Sequence, residues 1–201
     1  METRPILITD HAGTVVKEVW DGKNKRYGYP FANAGIELSY GAGKALRAFQ
    51  DSGLLIVVAA SHSGVARDYY TEEQMHQHHA ELNQILENEF GVHVMALGLC
   101  PHLPDAGCEC RKPGIGMPIQ IQQQLREKEI EIDLARSIGV GDKIEDCQMA
   151  RNFEIRTTIL IEGGQWTRNR LPKDSPETVI VGSLIEGAYW FRTGKTCLDL
   201  V

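Results

Sequence analysis

The chain has 201 residues, with 27 Asp and Glu against 21 Lys and Arg for a net charge of −6, and a pI near 5.6. That balance argues against a general electrostatic grip on nucleic acid or an anionic membrane, and no apolar run approaches the ~18 residues of a spanning helix. At 42% hydrophobic and 24% charged residues it reads as one globular domain, long enough to bury about 70% of its unfolded surface without disulfides.

The first residues lack the basic start, long apolar stretch and small-residue cleavage site of a secretory leader, so the expectation is a cytoplasmic protein. Pro5 to Asp10 is a short apolar run that stops at a carboxylate, which predicts a buried strand followed by a turn over 11–14. Residues 20–43 are rich in Gly, aromatics and polar groups without a period, and predict a long loop, a candidate flap over a site. Lys44 to Gln50 patterns as a helix stopped by Gly53. Leu54 to Ala60 predicts a second buried strand. Thr71 with Gln74 forms a capping-box pattern that opens a helix to about Phe90. Val92 to Leu99 predicts a strand and Ile115 to Lys128 a helix. Ser137 to Asp142 is another strand ending at a carboxylate, and Glu145 to Asn152 a short helix. Thr157 to Ile161 and Thr178 to Val181 complete the strands, and Leu184 to Phe191 predicts a last helix. Strict alternation of strand and helix predicts an α/β fold, a mostly parallel sheet covered on both faces.

In open α/β sheets ligands bind beyond the carboxyl ends of the strands, where Asp10 and Asp142 both fall. Two carboxylates beside a Gly-containing turn suit Mg²⁺ and phosphate. Within Asp10-His11-Ala12-Gly13-Thr14, Asp10 reads as a nucleophile and Gly13 as the residue that lets backbone N–H groups approach a phosphate. A strand-ending turn with a capping Asp is the plainer alternative. Cys100-Pro101-His102 and Cys108-Glu109-Cys110 supply three thiolates and an imidazole, a full tetrahedral set for zinc. Four protein ligands close such a site, so the metal would be structural. Cys147 and Cys197 read as bystanders. Arg111-Lys112-Pro113 offers a bidentate guanidinium and a point charge to a phosphate, against the alternative of a solvated basic pair. Asp142 reads as a direct Mg²⁺ ligand and Asp146 as a ligand directly or through water, with helix N-capping as the competing explanation. Lys143 would neutralise phosphate or pair with Asp10. His62, His76, His78, His79 and His93 invite a metal reading, and His76 and His79 stand three apart on a predicted helix, but no carboxylate or cysteine pattern supports a second zinc, so they read as mostly surface or core residues.

Asp10…Gly13-Thr14, Ser63-Gly64 after the second strand, Arg111-Lys112-Pro113 and Gly141-Asp142-Lys143…Asp146 together resemble the haloacid dehalogenase superfamily. Ser63 to Arg67, Tyr70 to Gln74 and above all the cysteine loop joined to Arg111-Lys112-Pro113 are similar to its histidinol-phosphatase and heptose-bisphosphate phosphatase branch. The resemblance spans about residue 5 to about residue 185. It implies a Rossmann-like core with a minimal cap, in which Asp10 attacks phosphorus to give a phosphoaspartate. Mg²⁺ would be held by Asp10, the backbone carbonyl of Ala12 and Asp142. Lys112 would steady the nucleophile and the phosphoryl oxygens, with Gly13, Ser61, His62, Arg111 and Lys143 as phosphate or substrate contacts. Such catalysis is mostly positioning and charge neutralisation.

Two positions depart from the family pattern. The family's general acid/base, an Asp two residues after the nucleophile, is Ala12 here, and losing such help typically costs on the order of 10²–10⁴-fold. The family's phosphate-binding hydroxyl falls on Ala60, with Ser61 adjacent. The expectation is a Mg²⁺-dependent phosphatase of a small phosphorylated sugar with impaired acid/base chemistry, His11 or His62 being candidate replacements. A pseudophosphatase that binds a sugar phosphate or a protein partner is the alternative. Phosphonatase-like chemistry, suggested by Asp-x-Ala-Gly-Thr, would need a lysine on a helical cap, and Lys17, Lys23, Lys25 and Lys44 lie in no obvious one. The sequence carries no code for the oligomeric state.

Overall fold

The computed structural model describes residues 1–21, 26–28, 35–162 and 178–196. The strands are β1 (Glu2–Arg4), β2 (Ile6–Thr9), β3 (Val19–Asp21), β4 (Arg26–Gly28), β5 (Leu55–Ser61), β6 (Val94–Cys100), β7 (Ile130–Ile132), β8 (Ile138–Gly141), β9 (Thr157–Ile161) and β10 (Thr178–Val181). The helices are α1 (Ala42–Asp51), α2 (Glu72–Phe90), α3 (Gly116–Arg126), α4 (Ile144–Asn152) and α5 (Leu184–Thr193). Six strands form one parallel sheet in the order β10-β9-β8-β2-β5-β6.

The apolar runs become strands because both sheet faces are covered, so successive residues can all be apolar. Along β2, Ile6 and Ile8 pack under α3 and α4 with Met117, Ile121, Leu125 and Met149. Leu7 points the other way, to Leu46, Phe49, Leu82 and Leu86 of α1 and α2 and to Leu184 of α5. In β5, Val57 and Ala59 join the first group, whereas Val58 and Ala60 pack with Tyr70 and Met75. Thr71 accepts from the Gln74 N–H at 3.1 Å and Gln74 Oε1 accepts from the Thr71 N–H at 2.8 Å, so the capping box forms at the start of α2. Gln120 and Gln124 of α3 reach β6: Leu99 N–H donates to Gln120 at 2.9 Å, and Gln124 accepts from Leu97 N–H at 3.1 Å while donating to its carbonyl at 2.6 Å.

Most expected elements form, with ends shifted by a residue or two. The two-stranded parallel pair β1–β7 and the hairpin β3–β4 were not expected. Their three-residue strands are too short to display a period of two. The hairpin corrects the expectation of a structureless loop over 20–43, and the close of that segment is fixed by Lys17 N–H to Glu37 carbonyl and Ser39 N–H to Val15 carbonyl bonds, both 2.9 Å. Residues 22–25 and 29–34 of the candidate flap, and Cys197, lie outside the described residues. Trp190 and Phe191 pack on the core, Phe191 with its ring centroid 5.5 Å from that of Phe49. Among the described residues no helix is long and apolar enough to cross a membrane.

Chain order leaves β2 toward β5 and β6, then returns to β8, β9 and β10 on its other side. The ends of β2 and β8 therefore flank the point where strand order reverses, which is where open α/β sheets place a ligand crevice.

Candidate active site

Asp10 leaves β2 and Asp142 leaves β8, and the two ends are stitched by the Asp10 N–H to the Val140 carbonyl at 3.0 Å. Asp146 joins them from the first turn of α4. A carboxylate oxygen of each of the three lies within 4.8 Å of the others, and all three are buried. Three carboxylates cannot stay so close in a low-dielectric site without cations. Lys112 supplies one, its Nζ standing 2.5 Å from Asp10 Oδ1 and 2.6 Å from Asp146 Oδ1. Lys143 lies 3.5 Å from Asp142 Oδ1 and 3.8 Å from Glu18, but makes no direct bond to Asp10.

The charges sort accordingly. Burial alone pushes Asp10 up, but Lys112 and Lys143 outweigh it and hold the carboxyl below the usual range. Burial opposes the charge of Lys112, yet Asp10 and Asp146 raise it above an ordinary lysine. Asp142 is pushed up to about 7, by burial first and then by the Asp10 charge. Asp146 is raised as well, by burial that Lys112 only partly offsets. Asp142 is thus an under-compensated carboxylate beside an ionised one, and that donor set fits a hard divalent cation. Gly13 completes the cradle: at φ +85° a Cβ there would lie 2.5 Å from Asp142 Oδ2. Asp142 also borders a cleft of about 440 Å³, together with Gly13, Lys17, Glu18, Tyr40 and Ser183. Sequence reasoning missed Lys17, Glu18 and Tyr40 as cleft residues, since nothing in their spacing joins them to Asp142.

Of the two readings offered for Asp146, the structure shows the helix cap, and it adds a contact to Lys112. Its Oδ2 accepts from the Lys143 N–H at 2.9 Å, capping α4, while Oδ1 holds Lys112. Lys112 is aimed by the turn that carries it: Gly114 N–H bonds the Arg111 carbonyl at 2.7 Å, Gly116 N–H the Glu109 carbonyl at 3.0 Å, and Asn152 of α4 the Pro113 carbonyl at 2.9 Å. Arg111 donates to the His102 carbonyl at 3.3 Å, so its guanidinium braces the preceding loop.

That loop brings Cys100, His102, Cys108 and Cys110 together. Cys100 Sγ is 3.6 Å from Cys108 Sγ and 3.7 Å from His102 Nδ1; Cys110 Sγ is 3.4 Å from Cys108 Sγ and 3.1 Å from His102 Nδ1. Bonds of about 2.3 Å to a tetrahedral zinc put sulfurs about 3.8 Å apart, so this set fits the ion with small adjustments. Burial and then the neighbouring thiols push the Cys110 thiol far up. Cys147 is buried elsewhere, on α4.

Ser61 ends β5 half-buried, and Ala60 is core. His62 turns inward. Its Nε2 lies 2.8 Å from His79 Nε2 and its Nδ1 3.3 Å from the Tyr70 hydroxyl. His11 is also buried, with Nε2 3.1 Å from His78 Nε2. These rings engage one another, while His11 Nδ1 and His79 Nδ1 are buried without a hydrogen-bond partner. His78 and His79, read from sequence as surface or core residues, fall in the core, on the inward stripe of α2 with Met75, Leu82 and Leu86.

A family model described as polynucleotide kinase 3 phosphatase matches residues 13–169. The chain is 35% identical over 148 residues to the D-glycero-beta-D-manno-heptose-1,7-bisphosphate 7-phosphatase of Haemophilus ducreyi, covering 71% of this chain and 79% of that protein. It is 34% identical over 168 residues to the enzyme of the same name from Yersinia pestis, covering 80% and 82%. Among solved structures, the D,D-heptose 1,7-bisphosphate phosphatase of B. bronchiseptica, complexed with magnesium and phosphate, superposes with a TM-score of 0.71 at 24% identity over 97% of this chain and all of that one.

Proposed function

We propose a reaction from one premise: the chain belongs to the heptose-bisphosphate phosphatase branch of the haloacid dehalogenase superfamily. It is a phosphatase, and its substrate is a small phosphorylated sugar of the heptose-bisphosphate type, the class named for its relatives. The observation that carries the reading is the Lys112 ammonium set between Asp10 and Asp146 at the crevice, 2.5 and 2.6 Å away. A buried carboxylate held ionised beside a fixed cation is an activated nucleophile with its counter-charge in place.

In this reading Asp10 attacks phosphorus, the bond to the sugar oxygen breaks, and an aspartyl phosphate forms. Lys112 keeps Asp10 ionised and follows the charge as it moves onto the phosphoryl oxygens. Gly13 lets the backbone approach the phosphate, Lys143 faces the crevice as a further cation, and the sugar lies in the cleft beside Lys17 and Tyr40. Mg²⁺, which Asp10, Asp142, the Ala12 carbonyl and, directly or through water, Asp146 would hold, supplies neutralisation of phosphate charge. Zn²⁺ in the Cys100, His102, Cys108 and Cys110 set would be structural, fixing the loop that ends at Lys112. The reduced thiols this needs suit the cytoplasm.

Ala12 gives no proton to the leaving oxygen and takes none from the water that must later attack the aspartyl phosphate. Turnover is therefore slow in its second half. That same residue favours a second reading, a phosphosugar-binding protein that turns over little.

Phosphate release from a panel of sugar bisphosphates in Mg²⁺, followed by intact-mass measurement of the protein, tests this. Sustained release, or one added phosphoryl group on the chain, supports Asp10 as nucleophile. No release and an unchanged mass would overturn it in favour of the binding protein.

A further inference from the structure

Directly behind Asp10 lies a cluster that the proposed chemistry does not use. His11 follows the nucleophile, His62 follows β5, and His78 and His79 come from the inner face of α2. All four are buried, at 1%, 3%, 7% and 0% exposure. Ring centroids of His11 lie 5.5 Å from His62, 5.0 Å from His78 and 4.7 Å from His79, and those of His62 and His79 are 4.9 Å apart. One ring nitrogen from each of His11, His62 and His79 lies within 4.8 Å of the other two.

We infer that His11, His62 and His79 form a third metal site, which takes a divalent transition ion of the zinc class and ties the nucleophile loop, the end of β5 and helix α2 together.

Three features carry this. The first is the donor set. Histidine is a residue of the interior only when its polar nitrogens are satisfied, yet His11 Nδ1 and His79 Nδ1 are buried without a hydrogen-bond partner. Those two nitrogens are lone pairs or N–H groups that the cluster's own bonds do not use, and donors left over in a buried group of imidazoles point to a cation among them. The second is the arrangement around the ligands. A metal-bound imidazole usually gives its other ring N–H to a fixed acceptor. His62 has Tyr70 Oη at 3.3 Å from Nδ1 while Nε2 faces His79, and His11 has His78 Nε2 at 3.1 Å from Nε2 while Nδ1 is unclaimed. His78 and Tyr70 thus sit where orienting groups belong. The third is reach. The nucleophile loop, the end of β5 and helix α2 each bring one ring nitrogen to within 4.8 Å of the other two, so one ion can bridge all three elements with small adjustments.

The ion class follows from the ligands. Three imidazoles without a carboxylate suit zinc, nickel or copper, and suit Mg²⁺ poorly. The carboxylate set at Asp10 and Asp142 has the opposite preference, so the two sites would not compete for one ion.

The test is metal content and ligand identity. Purified protein is equilibrated with Zn²⁺ in excess Mg²⁺, freed of loose metal, and measured by elemental analysis and zinc X-ray absorption. The expected result is one zinc per chain in a nitrogen-rich, sulfur-free environment in addition to any sulfur-bound zinc, and His79→Gln removes that equivalent while leaving the sulfur-bound one. Zinc found solely in a three-sulfur, one-nitrogen environment, no tightly held zinc at all, or a folded His79→Gln protein with unchanged zinc content would overturn the site. The absorption spectrum of the unmodified protein decides the matter even where the variant fails to fold. Nitrogen-bound zinc found without sulfur-bound zinc supports this site and removes the cysteine-loop reading instead.

Discussion

Lys112 Nζ lies 2.5 Å from Asp10 Oδ1 although 102 residues separate the two in the chain. The contact is buried, so it sets the ionisation of Asp10 rather than decorating a surface. Lys112→Met should lower kcat by about 10²–10³-fold, the typical cost of one well-placed electrostatic contact. With Lys112 gone, burial dominates and the Asp10 carboxyl rises, so the acidic limb of the pH–rate profile should move to higher pH. An unmoved limb in steady-state assays would show that Lys112 does not govern Asp10.

Gly13 should tolerate no side chain. Its φ of +85° is unfavourable for other residues, and a Cβ would meet Asp142 Oδ2 at 2.5 Å. Gly13→Ala should weaken Mg²⁺ binding by at least about tenfold, or ~1.4 kcal/mol. Calorimetric titration of the folded variant measures this directly.

Asp142 gives the pH dependence of that binding. Its carboxyl is pushed up to about 7 in the folded chain, above its unfolded value. Without metal, its contribution to stability is full below the unfolded value and is lost as pH rises toward 7. Mg²⁺ takes the ionised form, so affinity should climb by up to about tenfold per pH unit below 7 and flatten above it. Mg²⁺ titrations across that interval check the slope; a flat affinity would contradict it.

Ala12→Asp should raise turnover by about 10²–10⁴-fold, the usual contribution of a general acid/base. The aspartyl phosphate should become shorter-lived at the same time, read by quenched-flow intact mass. No gain in turnover would shift the balance to the binding protein.

Cys108→Ser should strip the cysteine loop of zinc and lower the melting temperature. Because Glu109 and Arg111 carbonyls anchor the turn that aims Lys112, kcat should fall with the zinc content. Elemental analysis alongside activity separates this from simple unfolding, which circular dichroism reports.

What could be read from sequence was what lies close together in it or fills a whole strand. β2 and β5 are legible because burial on both faces makes their residues apolar without interruption. Cys100 to Cys110 is legible because its four donors fall in one loop. The Lys112–Asp10 contact has no local signature, and the family resemblance alone suggested it. The histidine cluster was invisible because 51 residues separate His11 from His62 and sixteen separate His62 from His78. The one available signal was positional: His78 and His79 stand at α2 positions whose helical neighbours Met75, Leu82 and Leu86 all face the core. His76 and His79, three apart in sequence, face opposite ways, His76 exposed and His79 buried.

The glutamines of α3 bear on how copies of the chain can meet. An unpaired strand is a template on which a foreign strand can dock and extend the sheet. Among the described residues β6 is the last strand on its side, yet the amide groups of Leu97 and Leu99 that would receive a newcomer are already taken by Gln120 and Gln124. The side-chain amides imitate a seventh strand over those residues. Fibre-like growth through that margin is blocked from within the fold, and substituting both glutamines by alanine would reopen it without touching the catalytic crevice.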